Sequence, residues 1–476
     1  MEDKKLGLSS VVSTGIGLVV ATSCLLSLCR GTASVGTMFI VSVVVACLLN
    51  MTTAASLAEL NALMPKLTGG LAQYTLVGLG PFVTIVSMVG GYLICNSLTA
   101  PAEGAMFSFA VKEITGLNVP APVFSVGLTL ILMLVNLKGV DMFAKIQDIV
   151  AFLLIGSLVV LGIVGAFGLG SGEEVEQTAM DTTFLDGLSS SAEAFWLFIG
   201  VEFIIPIASS VKNSKKNIPL GMFLSLGIIA VIQIFMVIGL SRYVLFDDLG
   251  NSPSPHILYG VKLFGKFGQI WIGIISILAA VSTQNSVISS ISKICQGMSK
   301  MNMLPEFFQK TNKDGAPVVG IIFFSAVIMI IEGTGLASTD AISFLILTAS
   351  VFWMVCYIIT HINVLMLRKR LPKAPRTFKT FGGPLIQIIG IIGTGYMVFS
   401  ISPDPAEKLK ILGIVGLIFA GLSVYAILWI KLRMKMPLFK PVELKEVMAM
   451  EHPLYYKTHM RKIKEQASEK KIVSGE

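Results

Sequence analysis

The stretch FWLFIGVEFIIP, Phe195 to Pro206, sets a glycine and a carboxylate in the middle of an apolar run that extends from about 190 to 210. A carboxylate at mid-depth in a bilayer costs about 2.5 kcal/mol or more, so Glu202 has to face a cavity or a partner rather than hydrocarbon. Gly200 beside it and Pro206 after it weaken the helix at that point. Backbone released in a membrane is tolerated only where it lines a cavity. A second interruption, Ser13-Thr14-Gly15-Ile16-Gly17, lies in the first apolar run. The two hold the same ordinal place, first and sixth, if the chain is two halves of five helices, and such a pair points to a binding site between the halves. Close helix packing through glycine is the alternative at each place; the pair together favours a site.

Outward from these two runs, 54% of the residues are hydrophobic and 13% are charged, which excludes a water-soluble domain with an ordinary charged surface. A spanning helix needs about 20 apolar residues. About twelve such runs occur, near 7–28, 36–58, 81–108, 121–137, 146–168, 190–210, 219–241, 267–290, 317–333, 340–366, 383–401 and 409–431. The expected fold class is an all-α polytopic membrane protein with about twelve transmembrane helices. The first run lacks a small-residue cleavage site and is expected to remain as the first span.

The net charge of +8 reflects topology rather than nucleic acid. With the amino terminus inside, most of the 36 Lys and Arg fall on the cytoplasmic side, leaving Arg30, Lys112, Arg242, Lys262, Lys266, Lys408 and Lys410 outside. That bias follows the positive-inside rule and places both termini in the cytoplasm of a plasma membrane, the inner membrane of a bacterium. The outer loop near 172–186 carries Glu173, Glu174, Glu176, Asp181 and Asp186 without one Lys or Arg. The basic tail from 432 to 476 reads as a solvated extension or, through PLYYKTHMRKIKEQ, as a lipid-surface segment.

The run SLAELNALMPKLTGGLAQYTLVGLGP, with Glu59, Pro65, Gly69-Gly70, Tyr74 and Gly80-Pro81, resembles the amino acid–polyamine–organocation permeases. NLKGV at 136–140, the sixth run with its exit to Pro219, and the segment from Ser282 to Phe308 resemble the same family. The resemblance implies a five-plus-five inverted-repeat fold. The first repeat would cover 1–168, the second 190–366, with two further helices in 383–431. It also implies alternating access around unwound first and sixth helices. The departures are Gly17 and Val20 where Phe and Pro are usual, which widens the pocket, and Ser210, Ser214 and Lys293 at three further positions.

Backbone at Thr14, Gly15, Ile16 and Gly17 is expected to receive a substrate carboxylate, and carbonyls near Ser13, Ile199 and Gly200 an amine. The resemblance implies that Trp196 covers the substrate as an inner gate; packing is the alternative. Glu202 is expected to bind a cationic group, take up a proton, or lock the unwound backbone. Asn96 and Glu103, seven apart, share a helical face that looks into the cavity unless Glu103 reaches the outer water layer, and Pro101 between them is expected to loosen the backbone. Ser282 and Thr283 resemble a hydroxyl pair of sodium-coupled relatives. Trp353 and Tyr357, four apart on the tenth run, are expected to pack, with lining of the outer vestibule as the alternative. His256, His361, His452 and His459 are scattered over an outer loop, a span and the tail and suggest no metal site.

These residues are expected to serve a secondary transporter of a small amino acid or related amine, working as exchanger or cation-coupled symporter. A permease-fold nutrient sensor and a carrier of another organic cation are the alternatives. Expected partners are the substrate, the bilayer, H⁺ or Na⁺, and a second copy in a homodimer. No cofactor, nucleic acid or enzymatic chemistry is expected, because no acid, base and nucleophile cluster at one depth.

Overall fold

The computed structural model describes residues 6–64, 71–138, 143–178, 180–335 and 339–451. Pro65, Gly69, Gly70, Gly139, Val140 and the run 453–466 lie outside the described residues. The chain opens with α1 (Leu8–Val19), α2 (Thr22–Val35) and α3 (Phe39–Leu63). α4 (Leu71–Gly78) and α5 (Pro81–Met88) follow, and a π-helical turn, Val89–Ile94, leads into α6 (Cys95–Thr115). Next come α7 (Ala121–Leu137), α8 (Phe143–Ala166), α9 (Phe184–Ser189) and α10 (Ser191–Phe195). Two 3-10 segments, Trp196–Phe198 and Val201–Ser210, connect α10 to α11 (Ser214–Tyr243). The remaining helices are α12 (Phe246–Asn251), α13 (Pro255–Lys300), α14 (Val318–Gly333), α15 (Thr339–Arg370), α16 (Leu385–Phe399), α17 (Pro405–Trp429) and α18 (Leu444–Glu451).

Among the described residues no strand forms; one isolated parallel bridge joins Leu6 to Val211. It ties the entry of α1 to the exit of the broken sixth run, with Lys212 N–H donating to Leu6 O at 2.9 Å. Among the described residues, six stretches are each long and apolar enough to cross a bilayer: Thr22–Leu63, Pro81–Thr115, Ser214–Tyr243, Pro255–Lys300, Ala341–Arg370 and Pro405–Met434. Shorter apolar helices, Ala121–Leu137 and Leu385–Phe399 among them, pack beside these. The outer faces are apolar at helical spacing, with Leu130, Ile131 and Leu134 exposed on α7 and Ile388, Ile389 and Ile392 exposed on α16. A soluble protein rarely exposes such continuous faces; in lipid they are the matching surface. The interior is the reverse, with Glu59, Glu103, Glu202, Glu332 and His361 all buried.

Four local expectations are corrected. The first run breaks at Val20–Ala21, and Ser13 to Gly17 are regular α-helix. Pro101 sits inside an uninterrupted helix, and the irregular turn of that span is the π segment before it. The outer loop expected around His256 is not a plain loop: it forms α12 and the first part of α13, which bends at Gly265, where φ is 59°. His256 lies on that first part, buried, with a ring nitrogen 2.9 Å from Ser276 Oγ. The start of the tail is docked rather than solvated. Val442 N–H donates to Leu76 O, Phe82 N–H donates to Leu438 O, and Val447 is fully buried.

Candidate functional site

The sixth run breaks where a glycine is required. Ile199 is extended with ψ 141°, and Gly200 has φ of +116°, a conformation that side-chain-bearing residues rarely adopt. Glu202 folds back onto this break, its Oε2 accepting the Gly200 N–H at 3.1 Å. The same oxygen accepts from Tyr357 Oη at 2.9 Å, and Oε1 accepts from Trp353 Nε1 at 2.8 Å. One carboxylate thereby holds the opened backbone to α15. Of the three expected roles, this geometry is that of the lock. Trp353 and Tyr357, expected to pack, supply its two side-chain donors.

The first run breaks without glycine. Val20 has ψ of 111° and Ala21 has φ of −120° and ψ of 166°, so both are ordinary extended backbone. α2 then starts with no capping side chain from its own N-cap residue. The first turn is satisfied from α6 instead: Ser23 N–H donates to Glu103 Oε1 at 3.0 Å. Ser23 Oγ accepts from Trp196 Nε1 at 3.0 Å, so the indole bridges the two broken runs. Asn96, Thr99 and Glu103 follow one another at spacings of three and four on α6 and form one face, as the spacing of seven predicts. The π turn just before them widens that helix, as π-bulges commonly do near functional sites.

These elements enclose a cavity of about 380 Å³. Of the residues singled out in the sequence, Gly17, Asn96, Glu103, Trp196, Ile199, Gly200 and Thr283 line it. Ser13, Thr14, Gly15, Ile16, Glu202 and Ser282 are not among its lining residues. For Gly15 the reason is packing, since a Cβ there would collide with Ser225 Oγ and Ile204 Cδ1. Ile16 faces a small apolar void with Leu25 and Ile232 instead. The sequence reading missed Ser23, Phe203 and Trp353 on the wall, and a hydroxyl stripe from α13, Ser286, Ser289 and Ser290. The stripe's spacing of three and four, ending at Lys293, was the available signal.

Two more buried acids lie outside the cavity. Glu332 accepts from Thr129 Oγ1 at 2.8 Å and from Gln284 Nε2 at 3.0 Å, joining α7, α13 and α14. Glu59 of the AEL motif receives Arg368 through Nε at 2.8 Å and a second nitrogen at 2.6 Å, with Arg376 at 3.5 Å and Thr380 N–H at 2.9 Å. That fork is the planar bidentate geometry of guanidinium and carboxylate, and it clamps α3 to the end of α15. His361, fully buried, contacts Ser56 at 2.9 Å and Thr53 at 3.3 Å. Among the described residues, no group of three or more His, Cys, Asp or Glu is arranged to hold a metal ion.

A family model described as amino acid permease matches residues 6–424. The chain is 23% identical over 442 residues to the branched-chain amino acid permease BcaP of Bacillus subtilis, a match covering 87% of this chain and 92% of that one. It is 24% identical over 365 residues to an arginine/agmatine antiporter of Chlamydia pneumoniae, covering 72% and 73%. Among solved structures, a manganese transporter of Eremococcus coleocola in complex with an aromatic bis-isothiourea compound has a similar fold. Its TM-score is 0.54 at 15% identity, over 88% of this chain and 94% of that one. With its buried polar interior, its apolar outer faces and a cavity at two broken helices, the chain belongs to the amino acid permease family of the amino acid–polyamine–organocation superfamily and is a multi-pass membrane transporter, not an enzyme.

Proposed function

We propose that the protein is a secondary transporter of a small amino acid or a related amine, working by alternating access as an exchanger or a cation-coupled symporter. The observation that carries this reading is the cavity of about 380 Å³ at the point where both broken helices meet. Small-molecule sites are concave, mostly apolar and furnished with a few convergent polar groups, and this one offers Ser23, Asn96, Thr99 and Glu103 among aromatic faces. Trp196 spans from one break to the other through Ser23, the position a gate over the substrate has to occupy. We place both termini on the cytoplasmic side of a plasma membrane, so that the mouth beside Lys293 opens inward. The two halves, 1–168 and 190–366, would rock against each other about the cavity, with Glu202 keeping the sixth-run break intact throughout.

Coupling to Na⁺ is supported only by Thr283 on the wall beside buried Ser282, and coupling to H⁺ by the buried carboxylate of Glu103. The deciding experiment is counterflow in proteoliposomes. Vesicles are loaded singly with unlabelled amino acids or amines, and uptake of the labelled compound is followed with and without Na⁺ or pH gradients. Uptake of one chemical class, lost in Trp196→Ala, is the expected result. A folded protein that moves no amino acid or amine under any gradient refutes the reading and favours a nutrient sensor.

A further inference from the structure

The positive end of α2 is where a substrate carboxylate would be held in this architecture, because Ser23 and Cys24 of its first turn line the cavity and no N-cap side chain covers them. That place is filled by the protein itself. Glu103 Oε1 takes the Ser23 N–H at 3.0 Å. The other oxygen, Oε2, is buried beside Thr22 and has no hydrogen-bond partner among the described residues, while the Glu103 side chain, 2% exposed, lines the cavity. The Thr22 hydroxyl, beside Glu103, also lies 3.4 Å from Ser276 O. A carboxylate buried at the wall of a cavity, with one oxygen lacking a hydrogen-bond partner, calls for a donor from whatever enters.

The rest of the wall suits the same kind of guest. Trp196, Phe203 and Trp353 present aromatic surface, and Trp faces attract ammonium groups. Glu103 is the acidic residue of the lining. Lys293, the basic one, is exposed at the far end of the α13 stripe, about 15 Å along the helix axis from Thr283 at 1.5 Å per residue. A second carboxylate brought to the α2 terminus would meet Glu103 at contact distance, a like-charge pair in a low-dielectric site.

We propose that the substrate is an organic amine without a carboxylate, and that Glu103 takes the place of the missing carboxylate at α2 and receives the ammonium at the cavity wall. This rests on the transporter reading above and narrows it to one side of the amino acid and amine alternative.

The test uses matched pairs that differ only by decarboxylation: leucine and 3-methylbutylamine, ornithine and putrescine, arginine and agmatine. Counterflow is measured for each member in proteoliposomes of the full chain. The expected result is that within the pair that fits the cavity the amine outperforms its parent acid by tenfold or more. Glu103→Ala, which frees the Ser23 N–H, is expected to lose amine counterflow and to gain uptake of the parent acid. Glu103→Gln keeps the acceptor for Ser23 and is expected to lose the amine without gaining the acid. Wild-type counterflow by the parent acids at equal or greater rate overturns this inference and leaves the transporter reading standing. A wild-type ratio that favours the amine but is unchanged in both variants overturns the role of Glu103. No counterflow by any member, with the protein monodisperse, overturns both.

Discussion

Both oxygens of Glu202 are engaged, one by Trp353 and the other by Tyr357 and the Gly200 N–H. A group so occupied is a poor ligand for a passing substrate but a strong clamp, since hydrogen bonds to a charged acceptor contribute about 1.5–3 kcal/mol each. Tyr357→Phe should therefore lower the unfolding free energy by about 1–3 kcal/mol, read as a downward shift in the thermal midpoint in detergent. Its KM should change little against its maximal rate, and a large rise in KM alone would instead place Glu202 among the substrate ligands. Glu202→Gln should cost more, because an amide nitrogen turned toward Trp353 Nε1 or toward the Gly200 N–H opposes a donor with a donor. The sixth break was legible in the sequence because φ of +116° demands the glycine that marks it. The first break was not, because Val20 and Ala21 are extended in a way any residue adopts, while the eye-catching Gly15 serves contact with Ser225 and Ile204. A break that needs no special residue leaves no mark.

Between elements, the polar clusters decide which helices stay together. Glu332, one residue before Gly333 at the end of α14, is 1% exposed and joins Thr129 of α7 to Gln284 of α13. Gly104 of α6 completes the arrangement, since a Cβ there would collide with Glu332 Oε1 and crowd Ser125. Overpacking of this kind costs about 1–3 kcal/mol. Gly104→Ala should lower the thermal midpoint, and combining it with Glu332→Ala, which removes the obstructing carboxylate, should recover part of the loss. Additive losses in the double variant would show that the two residues do not meet. Such pairing is invisible to periodicity, which reports which face of a helix is polar but not which partner waits there. Glu59 is different, because the family pattern marks it, yet its partners Arg368 and Arg376 follow three hundred residues later in loops and helix ends that carry no signal of their own.

For the whole molecule, the all-helical, membrane-spanning fold class was legible in composition, since it follows from the thickness of the bilayer. The course of the tail was not: Leu438, Val442 and Val447 belong to a basic segment, and only the surface formed by α4 and α5 makes their burial favourable. That docking links the tail to the same end of the molecule as Lys293, and it makes sidedness testable. The six native cysteines are buried, and only Cys24 among them lines the cavity. In a Cys24→Ser background, single cysteines at Glu176, Ser290 and Lys445 can be probed in sealed right-side-out vesicles with a membrane-impermeant maleimide. Glu176→Cys should label from outside without further treatment. Lys445→Cys should label only after permeabilisation, and Ser290→Cys likewise while the mouth beside Lys293 is open to the cytoplasm. A carrier that alternates must also expose Ser290→Cys to the outer reagent when substrate is supplied at saturating concentration, with Lys445→Cys unchanged. Outside labelling of Lys445→Cys would invert the proposed topology. Labelling of Ser290→Cys that substrate never alters would instead leave the topology intact and remove the moving step from the mechanism.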